Sequence, residues 1–282
     1  METAFSQPLA QERVIKPRRG FIGIDFAELW RYRELFLFLI WKSILVRYKQ
    51  TVMGILWAVI RPIMLMIVFT IIFGKLAKFN SHGIPYPLFT FAALLPWQFF
   101  AQSLSESSNS LVMNPNLISK IYCPRLILPS SAVLSGAVDF LISFTVFVGL
   151  MAWYRSVPTL AVVWLPLFLL LAMTTASGFG FWFSALNVKY RDVRHAVPFM
   201  IQFGLYISPV GYSSSQIPAE LHTLYSLNPM VGVIDGFRWA LLGQRVPLNF
   251  PGLALSALVA LLLFVSGIHY FRKVEKTFAD II

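Results

Sequence analysis

From Ser156 to Val188 the sequence carries no charged residue, and no other feature constrains the fold as strongly. A helix needs about 20 mostly apolar residues to cross a bilayer's hydrocarbon. The core of this run, Leu160–Ala185, meets that length. Five other stretches read as spans: Ile55–Gly74, Ile84–Leu104, Ser131–Trp153, Val197–Tyr212 and Leu253–Tyr270. The stretch at Val197 is short, because Pro209 closes it early. Six spans predict an all-α polytopic membrane protein. Composition agrees, with 57% hydrophobic residues against 12% charged, where soluble domains carry roughly 25% charged. So few charges cannot cover a water-facing surface, which excludes disorder, a coiled coil and an ordinary soluble globule.

Two apolar segments compete for a place among the spans. In Phe26–Tyr48 the apolar run Leu35–Trp41 lies between Arg31, Arg33 and Glu34 on one side and Lys42 and Arg47 on the other. Phe26, Trp30, Leu37, Trp41, Ile44 and Tyr48 share a stripe at helical spacing, while Arg31, Glu34, Lys42 and Lys49 cluster on another face. That pattern predicts an amphipathic helix lying in the headgroups; the alternative is a seventh span. Leu221–Leu242 is apolar enough to cross, but Asn228-Pro229 cuts it and it carries Asp235 and Arg238. An Asn-Pro step favours a turn, so two half-length helices dipping into the outer leaflet are expected. Broken backbone of that kind is tolerated where protein or a wet path satisfies it. The domain reading is therefore residues 1–50 as amino terminus and interface helix, and 51–282 as the six-span domain.

The chain is basic, at +11 with 23 Lys and Arg against 12 Asp and Glu. With the amino terminus inside, 17 of those bases fall in cytoplasmic segments, five outside, and Arg61 within the first span. The positive-inside rule then puts both termini in the cytoplasm. Nucleic-acid binding would gather the bases with aromatics on one exposed surface, so no nucleic-acid partner is expected. The first 20 residues are polar and basic, and no cleaved leader is expected.

No catalytic constellation is present. Cys123 is the single cysteine, and His82, His195, His222 and His269 form no metal-binding pair. Gly74-Lys75 lacks the upstream glycine of a phosphate loop. The serines at 103, 105, 107 and 108 around Glu106 read as a polar helix end. Arg61 lies about 9 Å into the first span and Asp139 about 12 Å into the third, both from the cytoplasmic side. Lone intramembrane charges are costly, so an Arg61–Asp139 pair is one expectation. The other has Arg61 snorkelling to the interface and Asp139 facing a wet cavity.

Three stretches carry a family likeness as a set. Arg47-Tyr-Lys-Gln-Thr-Val-Met-Gly-Ile-Leu-Trp57 runs on to Ile60-Arg-Pro62. Leu95-Pro-Trp97 is followed by Asn114-Pro-Asn-Leu-Ile-Ser-Lys-Ile-Tyr-Cys-Pro-Arg-Leu-Ile-Leu-Pro129. Leu227-Asn-Pro-Met230 precedes Gly236-Phe-Arg-Trp-Ala-Leu-Leu-Gly243. In order and spacing they resemble the membrane subunit of type-2 ABC exporters, in the branch exporting lipid-linked polysaccharides such as O-antigen, capsule and teichoic acid.

The resemblance implies a homodimer in the bacterial inner membrane, docked onto two ABC ATPase subunits. ATP and Mg would sit on those partners and no cofactor on this chain. It also implies a non-catalytic channel subunit, with a coupling helix at about Asn114–Tyr122 and periplasmic gate helices around Asn228, Pro229, Asp235 and Arg238. The loop's physics fits: Pro115 suits a first helical turn, and Cys123-Pro124 stops the helix. Leu117, Ile118 and Ile121 are expected to form an apolar face for a partner's groove, with Lys120, Tyr122 and Arg125 beside it. A sugar polymer slides along aromatic faces, which makes Trp57, Trp97, Phe99, Phe100, Phe181 and Tyr206 candidates for the path. Thr174, Ser177 and Gly178 read as small-residue helix packing. A small-lipid or drug exporter of the same architecture, or a membrane-embedded transferase, are the alternatives. The transferase would need clustered acids or histidines, and the acids here are scattered.

Overall fold

Apolar stretches punctuated by Asn-Pro and Gly become ten α-helices among the described residues. The computed structural model describes residues 30–49, 54–120, 123–243 and 246–278, with only the backbone at 54, 55, 119, 120 and 277. Phe26, Ile121, Tyr122 and the side chain of Lys120, all named above, lie outside what is described.

The helices are α1 Arg33–Lys49, α2 Gly54–Phe69 (running into a π-helical turn, Thr70–Leu76), α3 Tyr86–Asn109 and α4 Pro115–Lys120. Next come α5 Ile127–Trp153, α6 Leu165–Lys189 (entered by the 3-10 turn Leu160–Trp164) and α7 Val193–Ile207. Last are α8 His222–Ser226, α9 Pro229–Leu242 and α10 Phe250–Val274. No strand occurs among the described residues.

Four helical stretches are long and apolar enough to cross a membrane: Leu56–Leu76, Ile127–Trp153, Leu160–Lys189 and Phe250–Val274. They correspond to the first, third, fourth and sixth stretches read from the sequence. The second is α3, which is a 24-residue helix but less apolar. It sits at the centre, packed by α2, α5, α6 and α9, and Leu88 through Trp97 are buried without a break. Its surface meets protein or a polar cavity, so polar residues such as Ser103 in the first and Gln98 and Gln102 in the second are tolerated there. Rings cross-brace this core, with Phe91 on Phe147 at 6.0 Å and Phe99 edge-on to Phe140 at 6.2 Å. The fifth stretch becomes α7, only 15 residues long.

Helix ends follow local chemistry. Asn228 accepts from the Met230 amide at 3.0 Å and caps α9, with Pro229 in its first turn. Asn249 accepts from the Gly252 amide at 3.1 Å at the start of α10. Both satisfy amides that a helix start leaves without partners. The break at Asn228-Pro229 thus divides α8 from α9.

Candidate functional site

α4 is a single short helix reached from the polar end of α3. Asn114 Nδ2 donates to the Ser110 carbonyl at 2.9 Å, and Lys42 Nζ of α1 donates to Asn114 Oδ1 at 3.5 Å. Pro115 and Asn116 are exposed and Leu117 is half-buried. Ile118 is turned inward, 6% exposed, in a cluster with Leu39, Leu111, Phe271 and Phe278. Ile118 therefore serves the chain's own core, and Ile121, the third residue of the expected apolar face, lies outside the described residues. Among the described side chains here, Met113, Pro115 and Asn116 are exposed. Arg125 is also committed within the chain, donating to the Glu275 carbonyl.

A cavity of about 460 Å³ opens between the carboxyl end of α1 and the helices α2, α3 and α5. It gathers four of the site candidates named from the sequence: Trp57 and Phe99 for the path, and the intramembrane charges Arg61 and Asp139. Asp139 borders this cavity, as the second of the two expectations has it, and its partners come from α1. Asp139 accepts from Arg47 and from the Tyr48 hydroxyl, and the same Arg47 guanidinium donates to both oxygens of Glu106. Gln102 also donates to Glu106, and Ser135 donates to it at 3.3 Å. Among the described residues no hydrogen bond or ion pair joins Arg61 to Asp139. The physical reason is packing: α1 runs back along α5, which carries Arg47 to the level of Asp139, while Arg61 faces the same cavity from α2.

Most of this network escaped the sequence reading. Arg47 stood there as a basic residue flanking the apolar run and as the start of a family motif, Glu106 as part of a polar helix end, and Gln102 and Ser135 were not singled out. The stripe Gln98, Gln102, Glu106, four residues apart on one helical face, is the signal that could have found the cavity wall.

The remaining aromatic candidates lie elsewhere. Trp97, Phe100 and Phe181 are each at most 6% exposed. Trp97 packs against α7 at Gly204, Phe100 meets Phe179 edge-on at 5.9 Å, and Phe181 meets Phe271 at 6.2 Å. They fill the interior of one chain and leave no ring face free. Tyr206 stands exposed on α7, near the stacked pair Phe199 and Phe203.

At the opposite end of α3, Arg238 of α9 is fully buried. Its three guanidinium nitrogens donate to main-chain carbonyls: Nε to Phe89 at 3.2 Å, Nη1 to Tyr212 at 2.8 Å, and Nη2 to Val210 at 2.8 Å. The guanidinium carbon lies 3.7 Å from the Phe89 ring centre. One side chain therefore ties α9 to α3 and to the segment after α7. Asn228 adds a bond from Nδ2 to Ser208 Oγ at 3.0 Å. Asp235 is 6% exposed and borders a small cavity with His222 and Tyr225. Burial pushes its carboxyl up to about 6, against the opposing pull of a Ser214 hydrogen bond, Arg238 and His222. Among the described residues no three His, Cys, Asp or Glu side chains come together as metal donors would.

The model of the ABC-2 type transporter family matches residues 34–242. The chain is 30% identical over 242 residues to the O-antigen export system permease protein RfbA of Klebsiella pneumoniae, covering 86% of this chain and 92% of that one. It is 29% identical over 255 residues to the RfbA of Myxococcus xanthus, covering 90% and 97%. It is also 24% identical over 246 residues to the polysialic acid transport protein KpsM of Escherichia coli, covering 83% and 91%.

Proposed function

This chain belongs to the ABC-2 type transporter family, and on that premise we propose that it is the permease subunit of an ATP-driven exporter of lipid-linked polysaccharide, with O-antigen as the cargo. The observation that carries the reading is similarity along nearly the whole of two O-antigen export permeases. KpsM, which moves another glycan polymer, supports the wider substrate class. A small-lipid or drug exporter is not favoured by these likenesses.

In this reading α3 and α7 join the four apolar helices to make six spans. α1 lies along the cytoplasmic interface, and α8 and α9 form the extracytoplasmic gate. Both termini face the cytoplasm of a bacterial inner membrane. Two copies of the chain dimerise and dock on two ATPase subunits, which bind ATP and Mg. The residues 114–125 take the displacement that nucleotide binding produces, and the Arg47 network at the end of α1 loosens as the cavity admits the lipid-linked end of the glycan. Ion pairs at the wall of a cavity, with side chains 20–27% exposed, suit that role, because water can replace either partner as they separate.

The test is complementation. A strain lacking its O-antigen permease is supplied with this chain and the ATPase encoded beside it, and surface glycan is read by immunoblot. Restored surface glycan is the expected result. Glycan retained inside, with the complex assembled and hydrolysing ATP, would overturn the substrate.

A further inference from the structure

The last described turn of the chain shares an apolar cluster with α4. Glu275–Thr277 leaves α10 as a 3-10 turn and delivers Phe278, which is fully buried. Its ring meets Phe271 edge-on at 5.4 Å. Arg125 reaches across from the residues after α4. It donates to the Glu275 carbonyl, and its guanidinium carbon lies 5.8 Å from the Phe278 ring centre. Arg272 fixes the same turn through the Glu275 carboxylate at 3.0 Å. Phe278 and Ile118 belong to one apolar cluster.

A six-residue helix has too few internal hydrogen bonds to hold its own orientation. α4 is set by what lies under it, and its deepest described side chain rests in the cluster that Phe278 completes. α10 is in turn joined to α6 without slack. A Cβ on Gly178 would stand 2.8 Å from the Phe264 amide nitrogen, and one on Gly267 would stand 2.6 Å from the Gly178 carbonyl oxygen. Trp182 stacks on Tyr270 at 4.2 Å and donates to Ser266 at 3.1 Å. Close-packed helices transmit displacement because their interface cannot compress.

We infer that Phe278 and Arg125 are positioning residues, forming a clasp that seats the coupling helix on α10 and passes its movement to the α6–α10 pair. The inference rests on the reading of α4 as the loop that meets the ATPase. It assigns the carboxyl-terminal turn to energy coupling rather than to docking, since Phe278 has no surface to offer a partner.

The test compares Phe278→Ala, Phe278→Leu and the wild type in the full chain co-expressed with its ATPase. Co-purification of the ATPase, ATP hydrolysis and surface glycan are measured together. Phe278→Ala is expected to keep the complex and its hydrolysis while glycan exported per ATP falls at least about fivefold, the lower end of usual coupling effects. Phe278→Leu, which refills the cavity, should restore most of that ratio and guards against simple misfolding. A wild-type export ratio in Phe278→Ala overturns the clasp. Equal loss of complex and export in both variants also overturns it, by making Phe278 an assembly residue. Failure of the wild type itself to co-purify with the ATPase refutes the parent reading, and the clasp with it.

Discussion

Two arginines anchor opposite ends of the central helix α3, and they do so by opposite chemistry. Arg47 lies in a half-buried cavity and bonds two carboxylates, with side chains 20–27% exposed. Arg238 is fully buried and bonds three main-chain carbonyls. Carboxylates on side chains can swing away and be rehydrated. Carbonyls of the main chain cannot move without moving the fold. The contrast separates a joint that can be remade in each transport cycle from a fixed pin.

The largest effect is expected at the pin. Arg238→Ala removes three hydrogen bonds to main-chain carbonyls and empties a fully buried site, and should cost about 3–5 kcal/mol, the range seen when a buried polar network is broken. Thermal unfolding in detergent measures it, and Arg238→Lys should recover little, because an ammonium lacks the planar fork. A loss below about 1 kcal/mol would remove the distinction between pin and joint.

At the joint, Arg47→Ala should cost less stability, about 1–3 kcal/mol, while export falls more steeply than the amount of folded protein. Added salt should weaken the wild-type joint and leave the pin unchanged, since screening acts on accessible charges. A double-mutant cycle sharpens the pairing. Arg47→Met with Asp139→Asn should show a coupling above about 0.5 kcal/mol, whereas Arg61→Met with Asp139→Asn should be additive within that margin. Coupling of the second pair and additivity of the first would favour the Arg61–Asp139 pair, the first of the two expectations from the sequence.

The smallest effect concerns Asp235. Its carboxyl is held at about 6 in the folded chain, above an unfolded value of about 3.9. The folded state therefore holds this proton more tightly. The stabilisation is complete below about pH 4 and is lost as pH rises through about 6. Asp235→Asn should remove that slope, and urea midpoints between pH 4 and 7 would read it.

Much of the fold was legible because it follows from local rules. The charge-free run from Ser156 to Val188 became one continuous helical stretch, Leu160–Lys189. The Asn228-Pro229 break and the close approach at Gly178 were also readable, the first from backbone sterics and the second from side-chain size. What escaped depends on distant partners. Arg47 and Asp139 are 92 residues apart, and nothing local distinguishes Arg47 from the other bases flanking α2. Ile118 was assigned outward because a helical wheel shows which residues share a face but not which face meets the core. Burial of Trp97 and Phe181 was hidden for the same reason: aromatic content suits a glycan path, lipid contact and core packing alike.

The most direct measurement reconstitutes this chain with its ATPase in liposomes carrying lipid-linked glycan, with an added lectin that reads only glycan translocated away from the ATPase side. Lectin signal that grows with ATP, requires this chain and is lost in Arg47→Ala is the expected result. ATP hydrolysis by the assembled complex with no growth in lectin signal would contradict polysaccharide export by this chain.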